Sequence, residues 1–164
     1  MVEILSAPPT RRLVLWGDAT VADRAGPAFG VPLPTTPCRA TEAGPRAALW
    51  MGPGEWLLLS PDNAAPSLSA ALANLPHALV DVSDATAAFT LHGPGAARAL
   101  SAGCPLDLHP DAFPPGMATR TVLGRVGATL WRRGPDLWRL EVPRSTAAYA
   151  RDFLAEATRG MPAF

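Results

Sequence analysis

Short apolar runs bounded by turn residues, with alternation over residues 77–83, mark the strands that the hydrophobic pattern predicts. The first strand candidate is the apolar run Leu13-Val14-Leu15-Trp16, closed by Gly17-Asp18. Residues 47–60, AALWMGPGEWLLLS, predict two strands around a Gly-Pro-Gly turn, with Trp50 and Trp56 on either side of it. Residues 77–83 and Thr86 to Leu91 predict two more strands, and residues 117–142 a further three, punctuated by Gly124, Gly127 and Gly134. Helical spacing shows in Leu68, Leu72 and Leu75, which predicts a helix over 64–75. It shows again in Tyr149, Phe153 and Ala157, with Ser145 as the expected N-cap. A short helix is expected from His92-Gly93-Pro94-Gly95 to about Leu100, with Pro94 suited to its first turn. Residues 1–11 read as a loose arm because Pro8-Pro9 block helix, and residues 26–37, rich in proline, as an extended surface segment.

This order predicts an α+β fold with mostly antiparallel sheets and helices packed on one side. The 164 residues fit one domain, 1–164, with a break near residue 76 that divides possible lobes 1–75 and 76–164. No repeat of short fixed period stands out.

Composition then narrows the function. Hydrophobic residues make up 48% and charged residues 17%, with zero formal net charge. Such a chain lacks the clustered positive field that nucleic acid selects, so nucleic acid is not an expected partner. It also lacks the mutual repulsion that keeps monomers apart, which favours a subunit. No apolar run approaches the roughly 18–20 residues needed to cross a bilayer, so no membrane partner is expected. The N-terminus does not read as a secretory signal, and Cys38 and Cys104 form no CxxC pair, so reduced thiols in the cytoplasm are the expectation. All 14 basic residues are arginine. Arg132 and Arg133 follow Trp131 beside the Gly134-Pro135 turn, a combination of residue types enriched at interfaces; Trp131, Arg132 and Arg133 are therefore the candidate partner-contact residues, against the plainer reading of a solvated hairpin tip.

Candidate chemistry is sparse. Cys104, Asp107, His109 and Asp111 carry ligand types for zinc, but prolines interrupt the segment and no second cluster completes the set. Gly93-Pro94-Gly95 precedes a helix without a Walker lysine or a GxGxxG pattern. Ser83, Asp84 and His92 lack a GxSxG elbow. Trp16, Trp50, Trp56, Trp131 and Trp138 lie in strand-like stretches where large rings fill sheet faces, so they are read as core or interface and not as flavin stacking. No catalytic, cofactor-binding or metal residue is assigned.

Several segments in order resemble the sarcosine oxidase gamma-subunit family. They are Leu49 to Leu58 (LWMGPGEWLL), Leu79 to Asp84 (LVDVSD), Leu91 to Arg98 (LHGPGAAR), Gly103 to Leu108 (GCPLDL), Arg120-Thr121 and Pro143-Arg144-Ser145. The resemblance spans about residues 47–158, while residues 1–46 match weakly. It implies a fold like part of the folate-binding fold of aminomethyltransferases. It also implies a non-catalytic structural subunit of a heterotetrameric oxidase that demethylates sarcosine to glycine and passes the one-carbon unit to tetrahydrofolate. The implied partners are alpha, beta and delta subunits, which carry FAD, FMN, NAD, the tetrahydrofolate site and zinc, with no cofactor in this chain. The alternative is a stand-alone folate-binding or one-carbon transfer protein, for which Glu55 or Asp81 could accept from pterin N–H groups.

Overall fold

The alternation of Leu13 and Leu15, Leu58 and Trp56, and Leu91 and Phe89 puts large apolar side chains on one face of two separate five-stranded sheets. In the computed structural model, which describes residues 1–159, every strand pairing is antiparallel. The elements run β1 (Glu3–Ser6), β2 (Arg11–Trp16), α1 (Ala19–Phe29), β3 (Ala40–Ala43), β4 (Arg46–Gly52), β5 (Glu55–Ser60), α2 (Ala65–Leu72), β6 (Ala78–Asp81), β7 (Thr86–His92), α3 (Ala96–Ser101), β8 (Ala118–Leu123), β9 (Val126–Arg132), β10 (Leu137–Pro143) and α4 (Ala147–Thr158). The fold is α+β, as the sequence predicts.

The chain forms two compact units. Unit 2 is Pro9–Ser83, with strand order β3-β4-β5-β2-β6. Its core joins Leu13, Leu15, Ala48, Trp56 and Leu58 of the sheet to Val21, Ala25 and Phe29 of α1 and to Leu68 and Leu72 of α2. Unit 1 is Met1–Pro8 with the described residues from Asp84 to Arg159, and its sheet runs β8-β9-β10-β7-β1. Its core joins Phe89, Leu91, Leu130, Trp138 and Leu140 to Leu100 of α3, to Ala150 and Leu154 of α4, and to Phe113 of the segment between α3 and β8.

Written this way the two sheets have one order, and the chain is a tandem repeat of strand, strand, helix, three strands, helix. The first strand of each repeat pairs in the other repeat's sheet: β1 lies beside β7 and β6 beside β2. Residue 76 lies between α2 and β6, whereas the compact units divide after Pro8 and after Ser83. They divide there because of the exchanged strands. The repeat is also visible in residues. Leu13-Val14-Leu15-Trp16-Gly17 corresponds to Phe89-Thr90-Leu91-His92-Gly93, and Gly52-Pro53-Gly54-Glu55-Trp56-Leu57-Leu58 to Gly134-Pro135-Asp136-Leu137-Trp138-Arg139-Leu140. Backbone bonds match too: Gly17 donates to the Gly54 carbonyl at 3.0 Å and Gly93 to that of Asp136 at 2.9 Å. The repeat spans half the chain and its side chains have diverged, so no short period marks it in the sequence.

Three local expectations are corrected. Residues 1–11 are not a loose arm, because Glu3–Ser6 pairs along β7 and Arg11 already belongs to β2. Residues 26–29 are the last turn of α1, not extended chain. Asp18 caps that helix by accepting from Val21 N–H at 3.0 Å, and Val21, Ala25 and Phe29 stack at four-residue spacing with no exposed surface. Burial of that stripe outweighs the one bond that Pro27 cannot make. Ser145 is not an N-cap, since a 3-10 turn over Arg144–Thr146 precedes α4 and Thr146 Oγ1 donates to the Pro143 carbonyl at 3.0 Å. Among the described residues no helix is long and apolar enough to cross a membrane.

Candidate functional site

Trp131 and Arg132 end β9 and Arg133 follows it, where the strand pattern places alternate side chains on opposite faces of the sheet. Arg132 points to the helix-covered face. It is 5% exposed, and its guanidinium lies 4.8 Å above the Trp138 ring. Three carbonyls accept from it: Phe113 at 2.8 Å from Nη1, Pro135 at 2.6 Å from Nη2 and Gly134 at 3.3 Å from Nε. Its backbone is tied as well, donating to the Met117 carbonyl at 2.9 Å and accepting from Gly116 N–H at 2.8 Å. A buried cation is tolerated here because its donors meet fixed oxygen dipoles and its flat face covers an indole. Arg132 therefore closes the β9–β10 turn over the 113–117 segment, and it is not a solvated tip.

Trp131 and Arg133 lie on the other side of the strand. Arg133 is exposed, and its guanidinium stands 4.9 Å from the Trp131 ring. Trp131 itself is 4% exposed. The three residues singled out by sequence thus have different settings: one anchors a loop, one is a buried ring, and one presents a charge at the surface.

The other candidates are scattered. Cys104 is buried, with Sγ 3.4 Å from Thr121 Oγ1. His109, Asp107 and Asp111 are tied into a local turn instead: Asp107 accepts from His109 N–H at 2.9 Å, and His109 Nδ1 lies 3.5 Å from an Asp111 oxygen. Among the described residues no group of three or more His, Cys, Asp or Glu is placed to hold a metal ion. Ser83 Oγ accepts from Arg12 N–H at 2.9 Å, Asp84 faces Arg144 at 3.3 Å, and His92 is paired in register between Glu3 and Leu137. That arrangement is not a triad. Gly93-Pro94-Gly95 is a turn into a helix of six residues.

Asp81, a candidate pterin acceptor, is engaged locally. The Ser83 side chain and backbone donate to it and hold its carboxyl below the usual carboxylate value, with help from Arg11 at 3.9 Å. Glu55 stands opposite Trp16 at the start of β5. A groove of about 430 Å³ in unit 2 is lined by Ala22, Asp23, Gly26, Pro27, Val31 and Leu33 among others, and neither Glu55 nor Asp81 lines it. The side chains that line it are apolar apart from Asp23.

The family model described as sarcosine oxidase, gamma subunit family, matches residues 16–159. The sarcosine oxidase subunit gamma of Corynebacterium sp. strain P-1 is 39% identical over 102 residues, covering 61% of this chain and 50% of that protein. That of Corynebacterium sp. strain U-96 is 38% identical over 122 residues, covering 73% of this chain and 59% of that protein. The chain thus spans about half to three fifths of these curated relatives in the matched regions. Among solved structures, heterotetrameric sarcosine oxidase from Corynebacterium sp. U-96 in complex with pyrrole 2-carboxylate contains a chain that superposes with TM-score 0.92 at 30% identity, covering 99% of this chain and 86% of that one. The glycine cleavage system aminomethyltransferase T from Bartonella henselae superposes with TM-score 0.69 at 12% identity, covering 93% of this chain and 45% of that one, a likeness of fold alone.

Proposed function

Because this chain belongs to the sarcosine oxidase gamma subunit family, we propose that it is a non-catalytic structural subunit of a heterotetrameric sarcosine oxidase. The observation that carries this reading is the superposition of 99% of the chain on one chain of such an enzyme. Its partners are then alpha, beta and delta subunits that hold FAD, FMN, NAD, tetrahydrofolate and zinc. The assembly demethylates sarcosine oxidatively to glycine, forms hydrogen peroxide and passes the one-carbon unit to tetrahydrofolate in the cytoplasm. The scattering of Ser83, Asp84, His92, Cys104 and His109 over separate local bonds supports a role without chemistry.

Contact with partners runs through the end of β9. Arg133 presents its charge there, Trp131 backs it, and Arg132 sets the turn that holds both. An exposed arginine stacked on an indole has lost part of its freedom before binding, which lowers the entropic cost of a contact.

The test is co-expression with the three other subunits. The expected result is a stable four-part complex with sarcosine-dependent peroxide production, absent from the chain alone, and weaker co-purification for Arg133→Glu. A purified chain that assembles with none of them but binds tetrahydrofolate by titration would instead establish the stand-alone folate protein.

A further inference from the structure

The two repeats trade their first strands through matching bonds. β1 of the first repeat pairs along β7, from Glu3 opposite His92 to Ser6 opposite Phe89, and Ala7 N–H donates to the Ala88 carbonyl at 2.8 Å. β6 of the second repeat pairs along β2, from Ala78 opposite Trp16 to Asp81 opposite Leu13, and Val82 N–H donates to the Arg12 carbonyl at 2.9 Å. Ala7 and Val82 each follow the exchanged strand, while Ala88 and Arg12 precede the corresponding Phe89 and Leu13. The first ladder lies inside unit 1 and the second inside unit 2. Each strand is also anchored beyond its ladder. Val2 and Ile4 pack against the core of unit 1, and the Met1 carbonyl fills the space that a Cβ on Gly93 would need. Leu79 packs against the core of unit 2, Ser83 Oγ accepts from Arg12 N–H at 2.9 Å, and Arg11 stands 3.9 Å from Asp81. The chain passes from one repeat to the other between α2 and β6, where Ala73, Asn74 and Pro76 are exposed.

We propose that the exchanged strands lock the two repeats to each other, so that the folded chain does not need its covalent link between α2 and β6. A cut there leaves two fragments, and each supplies the edge strand of a sheet that the other fragment builds. Separation has to break both ladders and leave the β2 and β7 edges unpaired. While one ladder holds, the other closes again at the high effective concentration that the first imposes. The lock belongs to the chain itself and does not rest on the oxidase reading.

The test uses the full chain with a protease recognition sequence inserted after Asn74. It is purified folded, cut, and passed over a sizing column in buffer and in rising urea. The expected result in buffer is one species that holds both fragments and elutes with the uncut chain. Leu5→Pro and Val80→Pro strike the two ladders, because each residue lies two before a donor, Ala7 or Val82, and so shares its hydrogen-bonding position. Both side chains are half exposed, so the loss falls on the backbone bonds. Val122→Pro is the comparison, also exposed, on β8, whose partner β9 lies in the same fragment. After cutting, the double variant Leu5→Pro with Val80→Pro should separate at a urea concentration at which Val122→Pro stays joined. Separation of the unsubstituted cut chain in buffer overturns the proposal, and so does a double variant that holds together as well as Val122→Pro. If the double variant does not fold before the cut, backbone hydrogen exchange on the unsubstituted chain decides. The amides of Leu5, Ala7, Val80 and Val82 should exchange as slowly after the cut as before it, and a rise toward the rate of an unfolded chain overturns the lock.

Discussion

Unit 2 seals its core with a proline-rich strap, the segment 30–39 between α1 and β3 that buries Val31 and Leu33, whereas unit 1 seals the equivalent space with aromatic rings and an arginine. Trp56 and Trp138 hold the same place, second in the last strand of the three that follow the first helix of each repeat. In unit 2 the indole donates to the Pro34 carbonyl of the strap at 2.7 Å. In unit 1 the corresponding segment gives its Phe113 carbonyl to Arg132, and the Trp138 indole is buried with no acceptor among the described residues. Trp50, which faces Trp56, is replaced by Arg132, which faces Trp138. Leu57 and Leu59 are replaced by Arg139 and Glu141, an ion pair at 2.7 Å whose carboxylate also accepts from Thr86 Oγ1 at 2.9 Å. A buried ion pair and a leucine pair are close in net stability, so one backbone carries either. The comparison teaches that register and strand order are shared while the means of closing each core are not.

The largest expected effect separates the two adjacent arginines. Arg132→Glu should cost roughly 3–5 kcal/mol, because a carboxylate replaces a cation among three carbonyl oxygens and both sides are left without donors. Arg133→Glu should cost only about 1 kcal/mol, the loss of an exposed stack on the Trp131 ring. Chemical unfolding of the two single variants decides it. Equal losses would mean that Arg132 does not anchor the turn.

Next is a pair of turn glycines. Gly44 and Gly124 open the equivalent β3–β4 and β8–β9 hairpins with φ of +57° and +60°. A Cβ at Gly44 meets nothing within 4 Å, whereas one at Gly124 runs into the Tyr149 hydroxyl and the Phe153 ring. Gly44→Ala should cost about 1 kcal/mol, the penalty of a left-handed conformation alone. Gly124→Ala should cost a further 1–3 kcal/mol or so, from overpacking against α4. Thermal melts of both variants measure the difference, and identical melting temperatures would remove α4 from the account of that turn.

The smallest effect concerns the two indoles. Trp56→Phe and Trp138→Phe remove similar volume, but only the first breaks a hydrogen bond and orphans the Pro34 carbonyl. Trp56→Phe should therefore be the less stable variant by about 1–2 kcal/mol. Urea midpoints with unchanged slopes would report it, and the reverse order would show that the strap bond contributes little.

What the sequence determined by itself was the pattern of strands and helices and, through ordered short segments such as Leu49 to Leu58 and Leu91 to Arg98, the family. Alternation and four-residue spacing are local properties, and local chain geometry reads them directly. It did not determine where β1 goes, because the pairing of four residues with a strand some eighty positions later depends on which edge is open, not on Glu3–Ser6. It mistook the end of α1 for extended chain, because proline content is visible in the sequence and the buried stripe of Val21, Ala25 and Phe29 has value only against a sheet. It grouped Trp131, Arg132 and Arg133 as one surface feature, and the pleat divides them. Neighbours in a strand point to opposite faces, so the fold turned Arg132 inward to three carbonyls and left Arg133 outside on the indole. Whether a charge is buried or exposed is settled by the distant atoms that come to surround it, and only the tertiary structure supplies those.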